Sequence, residues 1–186
     1  MDVKEVIIQR RSVREFTDQP VDRATVMALI QAATHAPSAV NHQPWVFAVI
    51  QDKQLLQTYS DRAKSLFARN ADLSSLVPQL KERLADPAFN IFYNAATLIV
   101  IYAKPIGEHP DWDCCLAGQN LMLAAHAMGL GTCPIGFAWP VLEQPDVKRD
   151  LKIPPDFVPV LPIIVGYASK PPPSVPRKDP EVLCWK

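Results

Sequence analysis

Three nearly unbroken apolar runs constrain this chain most: Trp45–Ile50, Thr97–Tyr102 and Val158–Tyr167. A run without polar alternation reads as a strand covered on both faces. The third carries Pro159 and Pro162, which cannot donate to a ladder and place it at a sheet edge or make it irregular. The segments between them carry helical periodicity. Val3–Gln9 reads as a short helix with Val3, Val6, Ile7 and Ile8 inward. Asp22 caps a helix that runs to His35, with Val26, Met27, Leu29, Ile30 and Ala33 as its apolar stripe, and Pro37 ends it. Asp52 caps another that runs to about Phe67, and residues 69–87 read as one irregular helix and a loop.

The longest helix spans Asp111 to Met128, with Leu116, Asn120, Leu123 and Ala127 on one face and Ala117, Leu121, Ala124 and Met128 on the next. Its residues are small or apolar nearly all round, the mark of a central buried helix, and Gly129 stops it. His126 on this helix reads as a core histidine. Trp139–Leu151 is a broken helix, and from Ser169 onward the prolines favour an extended tail that lies along a surface. The whole of 1–186 fits a single domain followed by a tail over about 169–186.

Charge narrows the function. Lys plus Arg and Asp plus Glu stand at 19 each, which argues against nucleic-acid or membrane-surface binding. No apolar run is long enough to cross a bilayer, and the acidic amino terminus does not read as a signal peptide, so the expected location is cytoplasmic. Cys114, Cys115, Cys133 and Cys184 form no C-x-x-C pair; no metal site is expected, and they read as small buried hydrophobes.

Against that neutral background, Arg10-Arg11-Ser12-Val13-Arg14 is a concentrated anion receptor. Guanidiniums match phosphate oxygens two at a time. On extended backbone Arg10, Ser12 and Arg14 face one way. Taken alone, the cluster is also what a solvated basic face looks like. The loop Pro37-Ser38-Ala39-Val40-Asn41-His42-Gln43-Pro44 concentrates donors and acceptors just before a strand, and Cys133-Pro134-Ile135-Gly136 offers backbone on which a flat ligand can lie. Glycine-rich nucleotide cradles, G-x-S-x-G and H-E-x-x-H are all missing.

In this order, Arg10-Arg11-Ser12-Val13-Arg14-x-Phe16, Ala36-Pro37-Ser38-Ala39-x-Asn41-x-Gln43-Pro44-Trp45, Gln119-Asn120-Leu121 through Gly131, Ile135-Gly136 and Ile164-Val165-Gly166-Tyr167 resemble the FMN-dependent nitroreductase family. The resemblance implies an α+β, three-layer fold: a central mixed or antiparallel sheet flanked by helices, in an interwoven homodimer with flavin sites at its interface. It implies that Arg10, Arg11 and Ser12 bind the FMN phosphate, joined by Arg177 or Lys178, and that Arg14 lies by the flavin ring and favours its reduced, anionic form. Pro134, Ile135 and Gly136 would pack on the ring with backbone donors turned to it. Pro37, Ser38, Ala39 and Asn41 would reach it from the other subunit, and Asn90 would add a contact. Ala39 stands where the family often has a second serine, so one polar contact is absent.

The implied activity is ping-pong hydride transfer from NADH or NADPH, through the flavin, to a small-molecule acceptor such as a nitroaromatic or quinone. No catalytic side chain is required, because the flavin carries the chemistry. The alternative is a protein that stores or senses flavin with little turnover.

Overall fold

The computed structural model describes residues 2–70 and 78–186. Four strands form one sheet in the order β1-β2-β4-β3: β1 Trp45–Ile50, β2 Thr97–Ala103, β3 Gly131–Pro134 and β4 Val158–Gly166. Every pairing among them is antiparallel. Strand β2 is buried along its whole length, and successive side chains serve opposite layers. Leu98, Val100 and Tyr102 enter a core with α3 (Lys53–Asn70), α6 (Trp139–Leu142) and α7 (Pro145–Asp150). Ile99, Ile101 and Ala103 enter another with α2 (Arg23–Thr34) and α5 (Pro110–Ala127). The molecule is therefore helices, sheet, helices: the three-layer α+β arrangement expected.

The proline-bearing strand is interior rather than at an edge. Between Ile101↔Leu161 and Tyr102↔Pro159 the register shifts, so Val160 is an extra residue and the strand bulges where Pro159 would otherwise interrupt the ladder. Pro162 accepts from the Ile135 amide at 2.8 Å, so its own nitrogen faces the side where β3 has already ended. The two prolines make the strand irregular without displacing it.

Asp2 caps α1 (Val3–Gln9) with a capping box, and Asp22 caps α2 through the Thr25 amide. Of the residues expected inward on α1, only Val6 is buried; Val3, Ile7 and Ile8 face solvent, Ile8 at 69% exposure. Met27 on α2 also faces out. Helix α5 is buried on one side only, through Asp113, Cys114, Ala117, Gly118, Leu121, Met122 and Ala125. Its other side shows Trp112 at 62% and Leu116 at 46% exposure, with Met128 beyond. A largely apolar helix with one covered face leaves Trp112 and Leu116 bare, and α1 packs beside it. Cys115 and Cys184 are likewise exposed, whereas Cys114 and Cys133 are buried.

The described part of the irregular region is the end of α3 and α4 (Pro78–Ala85); the reading of 71–77 lies outside the described residues. Among the described residues no helix is long and apolar enough to cross a membrane, and no cluster of metal-ligating groups occurs.

Candidate flavin site

The arginine cluster is held against the β3 edge. Val13 donates to the Thr132 carbonyl at 2.9 Å, and Ser12 makes a parallel bridge to Thr132. Further along, Thr17 donates to Tyr167, Phe16 bridges Ala168, and Ser169 donates to Glu15. The segment is thus pinned between β3 and the start of the tail. Two glycines make room for it: a Cβ on Gly131 would stand 2.7–2.9 Å from three atoms of Val13, and one on Gly166 would stand 2.8 Å from Phe16. Gly131 and Gly166 were quoted above only as parts of motifs. Their role as docking notches depends on a neighbour more than a hundred residues away.

Held this way, Arg10, Arg11, Ser12 and Arg14 line a cavity of about 330 Å³, closed by Pro172, Pro173, Val175 and Arg177 of the tail. Burial, then the Arg177 and Arg11 guanidiniums, push the Arg10 pKa below its ordinary value. Among the described residues, Arg10, Arg11, Arg14 and Arg177 make no ion pair. Several cations sharing one recess without a carboxylate are a receptor for a multiply charged anion, and a phosphate fits them. Within the cluster the roles divide. Arg11 turns its terminal nitrogen back onto the Ile8 and Arg10 carbonyls at the end of α1, whereas Arg10 and Arg177 have no such bond among the described residues and Ser12 meets Cys133. Arg177 lines the recess and Lys178 does not.

Arg14 is exposed, and its charge is felt at Cys133, so it stands beside the strand that leads into Pro134–Gly136. Burial raises the Cys133 thiol pKa, while Arg14, a hydrogen bond with Ser12 and Arg10 oppose the rise. Sequence reading treated this cysteine as core filler. It is buried, but it also backs the cluster. The Ile135 side chain is buried and its amide is spent on Pro162. Gly136 is exposed at the start of a single 3-10 turn, Gly136–Ala138, with open space at its Cβ position.

The second loop lies elsewhere. Val40, Asn41 and Gln43 have φ of 49°, 57° and 47°. Left-handed backbone is unusual for any residue with a side chain and strained for a β-branched one. Val40 is nonetheless 89% exposed, so core packing does not impose the conformation. Internal bonds hold it: the Gln43 amide donates to Ser38 Oγ at 3.0 Å, Gln43 Nε2 to Asn41 Oδ1 at 3.0 Å, and the Ala39 amide to both oxygens of buried Asp113 at 3.2 and 3.3 Å. Asp113 was missed from sequence, where an acid in a first helical turn reads as an ordinary dipole partner.

Asp113 sits near the start of α5, whereas Gly129 and Leu130 just past its end border the arginine cluster. Most of the helix separates the two, by about 24 Å at 1.5 Å per residue. One chain therefore does not bring Pro37, Ser38, Ala39 and Asn41 to Arg10, Ser12 and Arg14. Asn90 is separate again: its amide donates to Gln57 at 2.8 Å, its carbonyl accepts from Phe92 at 2.8 Å, and it lines a different cavity with Asp18 and Lys53.

The chain is 27% identical over 186 residues to a Methanothermobacter thermautotrophicus protein provisionally named NADH dehydrogenase/NAD(P)H nitroreductase, covering 97% of this chain and 85% of that one. It is 32% identical to Protein DrgA of Synechocystis, over 96% and 90% of the two chains. A nitroreductase from Desulfitobacterium hafniense, solved with bound FMN, superposes with a TM-score of 0.84 at 26% identity, covering 100% of both chains. The Nitroreductase family model matches residues 7–167, which takes in the arginine cluster, the strained loop, α5 and all four strands. By its sequence and by the fold that sequence adopts, the chain belongs to the nitroreductase family.

Proposed function

We propose that this protein is an FMN-dependent oxidoreductase that takes hydride from NADH or NADPH and passes it to a small-molecule acceptor, such as a nitroaromatic or quinone, in two successive half-reactions at one site. The observation that carries this reading is the recess of uncompensated guanidiniums around Arg10 and Arg177. FMN, when bound, supplies the hydride exchange. Arg10, Ser12 and Arg177 bind its phosphate with charge-assisted hydrogen bonds. Arg14 places a fixed cation at the ring end of the cluster, where it favours negative charge. Pro134 and Gly136 carry the ring, with the Gly136 amide as donor. Lys178 and Asn90 have no such support within one chain.

The remaining contacts come from a second copy. About a two-fold axis, antiparallel packing of the bare α1 and α5 faces sets the Ser38–Asn41 loop of one protomer beside the arginine cluster of its partner. The exposed Trp112, Leu116, Ile7 and Ile8 support this arrangement. The strained loop stays rigid enough to present Ser38 and Asn41, and Ala39 donates to Asp113 instead of to the ligand.

Anaerobic addition of NADH and of NADPH to the flavin-loaded protein should bleach the flavin absorbance, and a quinone or nitroaromatic should restore it. Stoichiometric flavin that bleaches with neither nicotinamide would make this a flavin store or sensor.

A further inference from the structure

Two arrangements near the start of α5 oppose folding, and they meet in one contact. Val40, Asn41 and Gln43 are left-handed, and all three are exposed, so packing within the chain does not impose their backbone. Asp113 is 8% exposed and makes no ion pair among the described residues. A buried carboxylate without a cation is unfavourable unless its hydrogen bonds compensate. Those it has come from the Ala39 amide, which lies 3.3 and 3.2 Å from its two oxygens.

The bonds inside the loop, from Gln43 to Ser38 and Asn41, fix its shape but not its place on the molecule. Its exit is held by the Lys104 amide, which donates to the Pro44 carbonyl at 2.8 Å, and by Gly107, whose missing Cβ leaves room for His42. Its central turn is held by Asp113, the one side chain outside the loop that hydrogen-bonds to it among the described residues. Asp113 therefore sets where Ser38 and Asn41 stand. The arginine cluster of its own chain gains nothing from this, because it lies about 24 Å away along α5.

We propose that Asp113 is a positioning residue that acts across the dimer: through the Ala39 amide it holds Ser38 and Asn41 against the flavin bound by the partner's arginine cluster. The inference rests on the FMN site and the two-fold arrangement of the proposed function, and it adds the residue on which the far half of each site depends. Flavin retention in one protomer then requires the Asp113 of the other.

The test is complementation between two variants, read as flavin per chain from absorbance after desalting. Asp113→Ala should weaken FMN binding about tenfold or more, with the fold checked by circular dichroism, and Arg10→Ala should lose its flavin as well. Differently tagged copies of the two, co-expressed and purified as the heterodimer, have one site damaged twice and one site intact. The heterodimer should therefore retain one flavin per two chains, although neither parent retains any. A heterodimer without flavin would place the effect of Asp113 in its own chain and overturn the proposal, as would an Asp113→Ala homodimer with full flavin. Asp113→Asn sets an amide donor beside the Ala39 N–H and should lose flavin less completely, with the same rescue in the heterodimer. If Asp113→Ala does not fold, that variant decides, and full flavin retention by it would overturn the proposal. A native protein that takes up no FMN, or an Arg10→Ala homodimer that keeps it, would contradict the proposed function instead, and both are read before any heterodimer is made.

Discussion

At the residue scale, the site depends on a few side chains whose surroundings leave them uncompensated. Arg10 is crowded by Arg11 and Arg177 and makes no ion pair among the described residues. Each hydrogen bond it makes to a phosphate stabilises the complex by about 1.5–3 kcal/mol. Arg10→Ala should therefore weaken FMN binding by about one to two orders of magnitude, measured by flavin fluorescence titration; unchanged flavin affinity would remove Arg10 from the phosphate site. Gly131 tests the same site from behind. A Cβ there would meet three atoms of Val13, a β-branched side chain that cannot swing aside. Gly131→Ala should destabilise the fold by about 1–3 kcal/mol in denaturant titrations and weaken flavin binding as well, because the whole segment shifts with Val13. Gly136→Ala, with open space around it, should leave stability nearly unchanged.

At the element scale, sequence and structure agree where one segment decides and part where two must meet. The caps at Asp22 and Asp52 and the buried strand β2 follow from local chemistry and were legible. The interior position of β4 was not, because a bulge at Val160 and a short neighbour at β3 accommodate its prolines, and neither feature is written in β4 itself. Helix α5 shows the same limit: its composition announces burial but does not say against what. The helices also carry a pH signature. Arg62 on α3 meets Asp146 on α7 at 2.8 Å, and that hydrogen bond, before all else, holds the Asp146 carboxyl below its ordinary 3.8. A depressed carboxylate stabilises the fold fully above the unfolded value and loses that contribution as pH falls through the folded one. The stability difference between the native protein and Asp146→Asn should be present at neutral pH and shrink as pH drops below 3.8, measured by denaturant midpoints across pH. A difference that persists in acid would assign it to something other than this pair.

For the whole molecule, the decisive fact is the separation along α5 of the two regions that the proposed function assigns to one site. The arginine cluster lies by its end and the Ser38–Asn41 loop by its start, and the proposed site joins them through a second chain. Leu116 lies on the bare face between them. Leu116→Asp should yield a monomer in light scattering and, with it, a protein that loses flavin on desalting. A monomer with full flavin and activity would contradict the composite site. Exposed polar changes elsewhere, such as Gln54→Ala on α3, should alter neither property.

The sequence by itself determined the parts: strands covered on both faces, helix boundaries with their caps, an arginine cluster, a loop and a tail whose order resembles one family. These are contributions of residues close together in the chain, and short-range chemistry suffices to read them. Tertiary structure alone decided which arginine is spent on a helix end, which glycines hold the cluster to the sheet, that Asp113 anchors the loop, and that Asn90 serves its own turn. The glycine notches, the Asp113 anchor and the reach of Asn90 to Gln57 are contacts between distant segments; the Arg11 and Asn90 turns are local bonds whose choice among alternatives depends on their surroundings. The cluster first met as a run of charge therefore emerges pinned between β3 and the tail, around a recess that Arg177 closes.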